Sequence, residues 1–252
     1  MQAIKEMILP GPDEAPIAAH TVIPGMFRRF NKLHIAEHLT VMSLFTLLVL
    51  TGLPQRFNDY ALSEWIVRFL GGIDTTRWIH RITGLLFTLF AAWHLGRITF
   101  LLIRRKIQPV MVPALRDFRD AIVTLRYYLG VSEEQAKFDR YDFRQKFEYF
   151  GMLVGSLVMI GTGLLLMFPV FFTNFLPGVL IPVAKTMHGY ESLLAFLVIV
   201  IWHMYGAHFS PEVFPGDVAI FTGKISRDRM ERDHPLEFER ILKSMKDETD
   251  AQ

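Results

Sequence analysis

Apolar positions in this chain gather into four long runs, separated by polar or proline-rich sequence. They cover roughly residues 34–53, 78–103, 147–168 and 184–207. Each run, at ~1.5 Å of rise per residue, approaches or matches a hydrocarbon core ~30 Å thick. Four transmembrane helices are predicted, and the fold class is an all-α membrane bundle. Two shorter stretches carry a helical repeat of another kind. Residues 60–70 read as a short amphipathic piece ended by Gly71 and Gly72. Leu115, Phe118, Ile122, Leu125 and Leu129 recur at three- or four-residue steps among Arg116, Arg119 and Arg126. That is the pattern of an interfacial helix between spans 2 and 3. Residues 169–183 read as a proline-rich apolar loop, and residues 235–245 as a helix in a charged tail. The division expected is an extended arm (1–30, with Pro10, Pro12, Pro16 and Pro24), a four-helix membrane domain (31–210) and a cytoplasmic tail (211–252).

Composition agrees: 51% of the 252 residues are hydrophobic and 22 are Phe. The net charge of +2 says little, but its distribution orients the chain. Ten Lys and Arg side chains, from Arg104 to Lys146, crowd the connection between spans 2 and 3; the next connection has only Lys185. By the positive-inside rule both termini and the long connection face the cytoplasm. Cysteine is absent, which excludes cysteine-ligated iron–sulfur clusters, disulfides and C-x-x-C-H haem attachment. The first thirty residues show no cleaved-signal pattern. Nothing points to a nucleic-acid partner.

The histidines change the picture most. His80 and His94 lie fourteen residues apart in span 2, and His188 and His203 fifteen apart in span 4. Each pair spans ~21–22 Å and returns to within ~40–60° of one face. Two helices with paired imidazoles at matching heights suggest two stacked metal centres. Haem is the natural candidate, because a bis-imidazole iron takes one His from each of two facing helices. His80 and His188 are the only candidates near the outer face. The inner face has a surplus: His34, His38, His94, His203 and His208. His208 follows His203 by five residues, ~140° round an α-helix, so the two cannot face one iron. Spacing leaves His38–His203 and His94–His203 both open. A third haem, on His94 with His34 or His208, is a further alternative. In span 3, Gly151 and Gly155 form a G-x-x-x-G pair, a close-packing device or room for a porphyrin.

Several segments carry a resemblance: Glu37-His38, Phe45 to Gly52, Ile79-His80-Arg81 with Gly84, Arg140 to Lys146, His188-Gly189, Trp202-His203 to Gly206, Phe221 to Ile225, and Met230 to Pro235. In order and spacing the chain resembles the membrane cytochrome b (gamma) subunits of formate dehydrogenase, related to the cytochrome b subunits of nickel–iron hydrogenases. The resemblance implies two b-type haems whose axial ligands, carried over by position, are His38, His80, His188 and His203, with Arg81 and Gly84 beside the cofactor. It implies an electron path between an extracytoplasmic iron–sulfur or multihaem subunit and menaquinone or ubiquinone in the prokaryotic inner membrane. It also places a quinone-contacting stretch at Asp142, Gln145 and Lys146. Arg28, Arg29, Arg81 and Arg97 are candidate counter-charges for haem propionates. Two other functions compete: a non-redox transporter using the histidines for zinc or copper, and a structural anchor whose haems only fix the bundle. Against the first, carboxylates inside spans are scarce, Glu37 and Glu191 being the main ones.

Overall fold

A computed structural model describes residues 25–211 and 213–249. Four helices are long and apolar enough to cross a membrane: α1 (Lys32–Arg56), α3 (Ile73–Ile103), α5 (Phe143–Met167) and α7 (Leu180–Phe209). The expected spans are all present. Most run past the apolar stretch, because backbone hydrogen bonding does not stop where hydrocarbon does. The amphipathic piece is α2 (Ala61–Phe69), where Trp65 and Phe69 stack at 5.7 Å. The interfacial pattern is α4 (Leu115–Tyr128), whose first turn is closed by the Ala114 amide donating to Asp117 at 2.7 Å. The loop expected at 169–183 is partly helical. Pro169 opens α6 (Pro169–Thr173), and α7 already begins at Leu180.

The last third of α7 departs from α geometry. Val198–His203 and Tyr205–Phe209 are π-helical. The ~140° step reckoned between His203 and His208 assumed an unbroken α-helix, which these segments are not. His208 lies against Gly216, where an added Cβ would sit 2.9 Å from its Nδ1.

The chain divides into two compact units. One holds Ala36–Arg97 and Gly151–Asp217, which is most of the four long helices. Within it, side chains reach between the helices, as Thr51 does to His80 and Thr162 to His188. The other unit holds the described residues up to Ile35, Ile98–Phe150 and those from Val218 onward. It is built on a two-strand antiparallel ladder, β1 (Met26–Arg28) with β2 (Lys224–Ser226). Between α8 (Ala219–Thr222) and β2, Gly223 takes φ +72°, and a Cβ there would lie 2.6 Å from the Phe30 carbonyl. Its own carbonyl accepts from the amides of Arg29 and Phe30. Ile225, Met230 and Phe238 form a small core on which Phe27 and Ile241 pack. Two more helices complete the unit: α9 (Arg227–Asp233), capped by Ser226, and α10 (Pro235–Thr249).

The expected extended arm is therefore, in its described part, a paired strand, and the expected tail is a folded partner for it. Residues 1–24, with the rest of that arm, lie outside the described residues.

Candidate functional site

Two pairs of imidazoles face one another inside the first unit. His80, on α3, and His188, on α7, have ring centres 6.3 Å apart with planes crossed at 83°. His38, on α1, and His203, on α7, have ring centres 6.1 Å apart with planes inclined at 30°. A metal–imidazole bond of ~2 Å, plus ~1.1 Å from nitrogen to ring centre, taken on both sides, spans ~6.3 Å. Both pairs meet that spacing. Zinc asks for three or four protein ligands, and among the described residues no three His, Cys, Asp or Glu side chains converge. Two ligands suit an iron whose other positions a porphyrin fills.

The His80–His188 pair is held from behind. Thr51 Oγ1 lies 2.9 Å from His80 Nδ1, and Thr162 Oγ1 lies 2.9 Å from His188 Nδ1. Each hydroxyl gives its own proton to the preceding turn of its helix, Thr51 to Leu47 at 2.6 Å and Thr162 to Val158 at 2.7 Å. Its oxygen is thus left to accept, and the ring nitrogen facing it must carry the proton. Both imidazoles are N–H at Nδ1, which leaves Nε2 with a lone pair for a metal. Glycine follows each threonine. A Cβ on Gly52 would sit 3.0 Å from His80 Cε1, and one on Gly163 would sit 3.2 Å from His188 Cε1. A side chain at either position would press on the ring, which would have to give by a few tenths of an ångström.

This support was missed in the sequence, although a signal existed. Thr-Gly-Leu occurs three times in the spans, at Thr51-Gly52-Leu53, Thr83-Gly84-Leu85 and Thr162-Gly163-Leu164. Two copies back a histidine on another helix. In the third, Thr83 is buried and Gly84 faces open space, with nothing within 4 Å of an added Cβ. The G-x-x-x-G reading of span 3 is also amended. Gly151 meets nothing, while Gly155 makes room for the Glu191 carboxyl, which a Cβ would approach to 2.6 Å.

The His38–His203 pair has a charged neighbour. Glu37, one residue before His38, is buried; it accepts from Arg97 at 2.6 and 3.1 Å, and its carboxylate lies 3.3 Å from His94 Nδ1. His94 also stacks on Phe90 at 6.3 Å. Thus the structure brings His38 to His203 and engages His94 with Glu37. His34 stands in the first turn of α1, its amide held by the Asn31 side chain at 2.8 Å.

The remaining predicted residues are accounted for individually. Arg81 is exposed. Asp142 and Gln145 cap α5 reciprocally: the Gln145 amide donates to Asp142 at 2.8 Å and the Asp142 amide to Gln145 at 3.2 Å. Arg144 donates twice to Asp142, and Lys146 pairs with buried Asp117 at 2.7 Å. Arg29 and Arg97, offered as propionate partners, are engaged with carboxylates, Arg29 with Glu237 at 3.0 Å and Arg97 with Glu37. Another cation went unremarked. Arg56 packs on Gly189, beside His188, and lies 4.9 Å from the Tyr190 ring centre.

When the protein gives two ligands and leaves the rest of the iron's shell to a macrocycle held between apolar helices, the class is a multi-pass membrane cytochrome b. Comparison with known families makes this specific. The prokaryotic cytochrome b561 family matches residues 29–218, and the chain belongs to that family. It is a membrane protein of electron transfer that carries b-type haem. No curated protein matches the chain at a significant level.

Proposed function

We propose that the chain is the di-haem cytochrome b subunit of a membrane-bound oxidoreductase of the formate dehydrogenase gamma type. In this reading it carries electrons across the prokaryotic cytoplasmic membrane between an extracytoplasmic redox subunit and the quinone pool. The observation that supports it most is the spacing of the two histidine pairs, 6.3 and 6.1 Å between ring centres. His80 and His188 hold the haem near the outer face, His38 and His203 the one near the inner face. Bound haem supplies reversible one-electron carriage. Thr51 and Thr162 keep the proton on Nδ1 of the outer ligands, and the apolar helices exclude water from all four.

Both termini lie on the cytoplasmic side, where the basic connection before α5 also falls. Quinone chemistry couples electrons to protons, so its site needs polar groups near the inner haem and within reach of water. Asp142, Gln145 and Lys146, at the start of an apolar helix, are our candidates for that contact. Their present partners are a cap and an ion pair at a helix end, the kind of contact a ligand can exchange.

The test is a haem count with a functional readout. Purified protein should give two haems b per chain by pyridine haemochrome, with a low-spin reduced-minus-oxidised spectrum, and membranes should show haem reduction by added quinol. One haem or three per chain, or stoichiometric zinc without haem, overturns the di-haem reading; two haems that no quinol reduces overturn the quinone part.

A further inference from the structure

We infer that Thr51 and Thr162 are positioning residues that lock the His80 and His188 rings in crossed planes, making that haem electronically distinct from the one held by His38 and His203. The inference rests on the ligand assignment proposed above. An imidazole bound to a metal through Nε2 turns easily about that bond, so its plane is set by whatever else it touches. Here each ring has a second anchor at Nδ1, a threonine oxygen 2.9 Å away whose own proton is already given to a backbone carbonyl. Each ring also has an edge against a glycine, at 3.0 and 3.2 Å from the Cβ position. Two contacts on each ring, one at Nδ1 and one at its edge, leave little freedom. The planes stand at 83°, against 30° for the other pair.

The angle matters because each imidazole interacts most strongly with the iron d orbital that lies perpendicular to the ring plane. Two parallel rings act on the same orbital and split it from its partner. Two crossed rings act on one orbital each and leave the two close in energy. Low-spin ferric iron with nearly degenerate orbitals gives a single strongly anisotropic resonance at high g; a split pair gives three rhombic lines. The oxidised protein should therefore show one signal of each kind in equal spin counts. The Thr acceptor adds a second effect: an imidazole whose N–H is hydrogen-bonded is a better donor to ferric iron and lowers the potential.

The test is EPR and redox titration of the intact oxidised protein. His80→Ala should abolish the high-g line and spare the rhombic one, and His38→Ala should do the reverse. Thr51→Val with Thr162→Val, close in shape but without the acceptor, should keep two haems, move the high-g signal toward rhombic and raise that haem's potential. Thr51→Ser with Thr162→Ser should restore the parent values. Two haems with two rhombic signals in the parent overturn the inference while leaving the ligand reading intact. So does an unchanged high-g line and potential in the double Val variant. Should that variant lose the haem, the parent and histidine-variant spectra decide alone. A haem count other than two overturns both readings.

Discussion

The two histidine pairs have nearly the same separation and quite different surroundings. At the rings of His80 and His188 the contacts are neutral, two threonine hydroxyls with no proton left to give and two glycines, while Arg56 packs on Gly189 nearby. Next to His38 the protein supplies charge, with a buried carboxylate joined to Arg97 and His94. Separation selects what can bind between two rings; surroundings set how tightly, in which orientation and at what potential it is held. A charged cluster inside a membrane span is costly and is normally retained for function. With a buried carboxylate beside one pair and hydroxyls beside the other, the two pairs should answer differently to the same perturbation.

The largest effect should come from the ligands themselves. His80→Ala and His188→Ala should each remove one and the same haem, and His38→Ala and His203→Ala the other, while His94→Ala leaves two. Haem count and difference spectra check this. Loss of a haem in His94→Ala with retention in His38→Ala would make His94, not His38, the partner of His203.

Next in size is Glu37→Ala, which orphans Arg97. The expected loss is about 2–3 kcal/mol, below the full penalty for a buried unpaired charge because the Arg97 side chain keeps 21% of its surface exposed. On heating in detergent, the absorbance of the His38–His203 haem should disappear ahead of the other. Simultaneous loss would erase the asymmetry between the two surroundings.

Gly163→Ala should cost about 1–2 kcal/mol and loosen the His188 ring, because the new methyl sits at 3.2 Å and its neighbour is a constrained imidazole. It should weaken occupancy at that pair alone, as read by haem retention on dilution. Equal weakening at His38–His203 would tell against a local effect.

Much of this was legible beforehand. Span number, the two surface helices and the heights of the histidines follow from hydropathy and a 3.6-residue period, which are local signals. That His38 lies against His203 while His94 meets Glu37 could not be read from spacing, because both contacts join residues far apart in the chain. The threonine supports were hidden for the same reason: a Thr in an apolar helix normally satisfies itself on the preceding turn, and only a partner helix shows what its oxygen accepts. The π-turns after Val198 and the three-residue strands left no periodic trace, being shorter than the windows in which a period can be seen.

The smallest effect uses a histidine outside both pairs, as a control on the four within them. His234 is buried in the second unit, and burial, helped by the nearby Arg29 charge, lowers its pKa below the ordinary 6.5 even though it is hydrogen-bonded to the Asp139 carbonyl. The folded state therefore holds fewer protons than the unfolded one. Stability is unaffected above pH ~6.5, then falls as pH drops from there through the lowered folded value. Asp139 acts lower on the scale: burial would raise its carboxyl, but Arg240's hydrogen bonds and charge outweigh that, so its contribution is lost only as pH falls below 3.8. Thermal midpoints between pH 7.5 and 5 should decline in the parent and flatten in His234→Gln, with no change in haem count. A slope that survives the substitution would point to another histidine.

The ladder between Met26–Arg28 and Lys224–Ser226 carries a consequence for how the protein is made. The first strand leaves the ribosome roughly 200 residues before its partner exists. At ~5–20 residues per second, that is about 10–40 s during which the strand has nothing to pair with. All four spans are synthesised within that interval. Closure of the ladder therefore follows synthesis of all four spans, and a chain cut short before residue 224 lacks the second strand. Proteolysis of β1 in nascent or truncated chains, and its protection in full-length ones, would time that event.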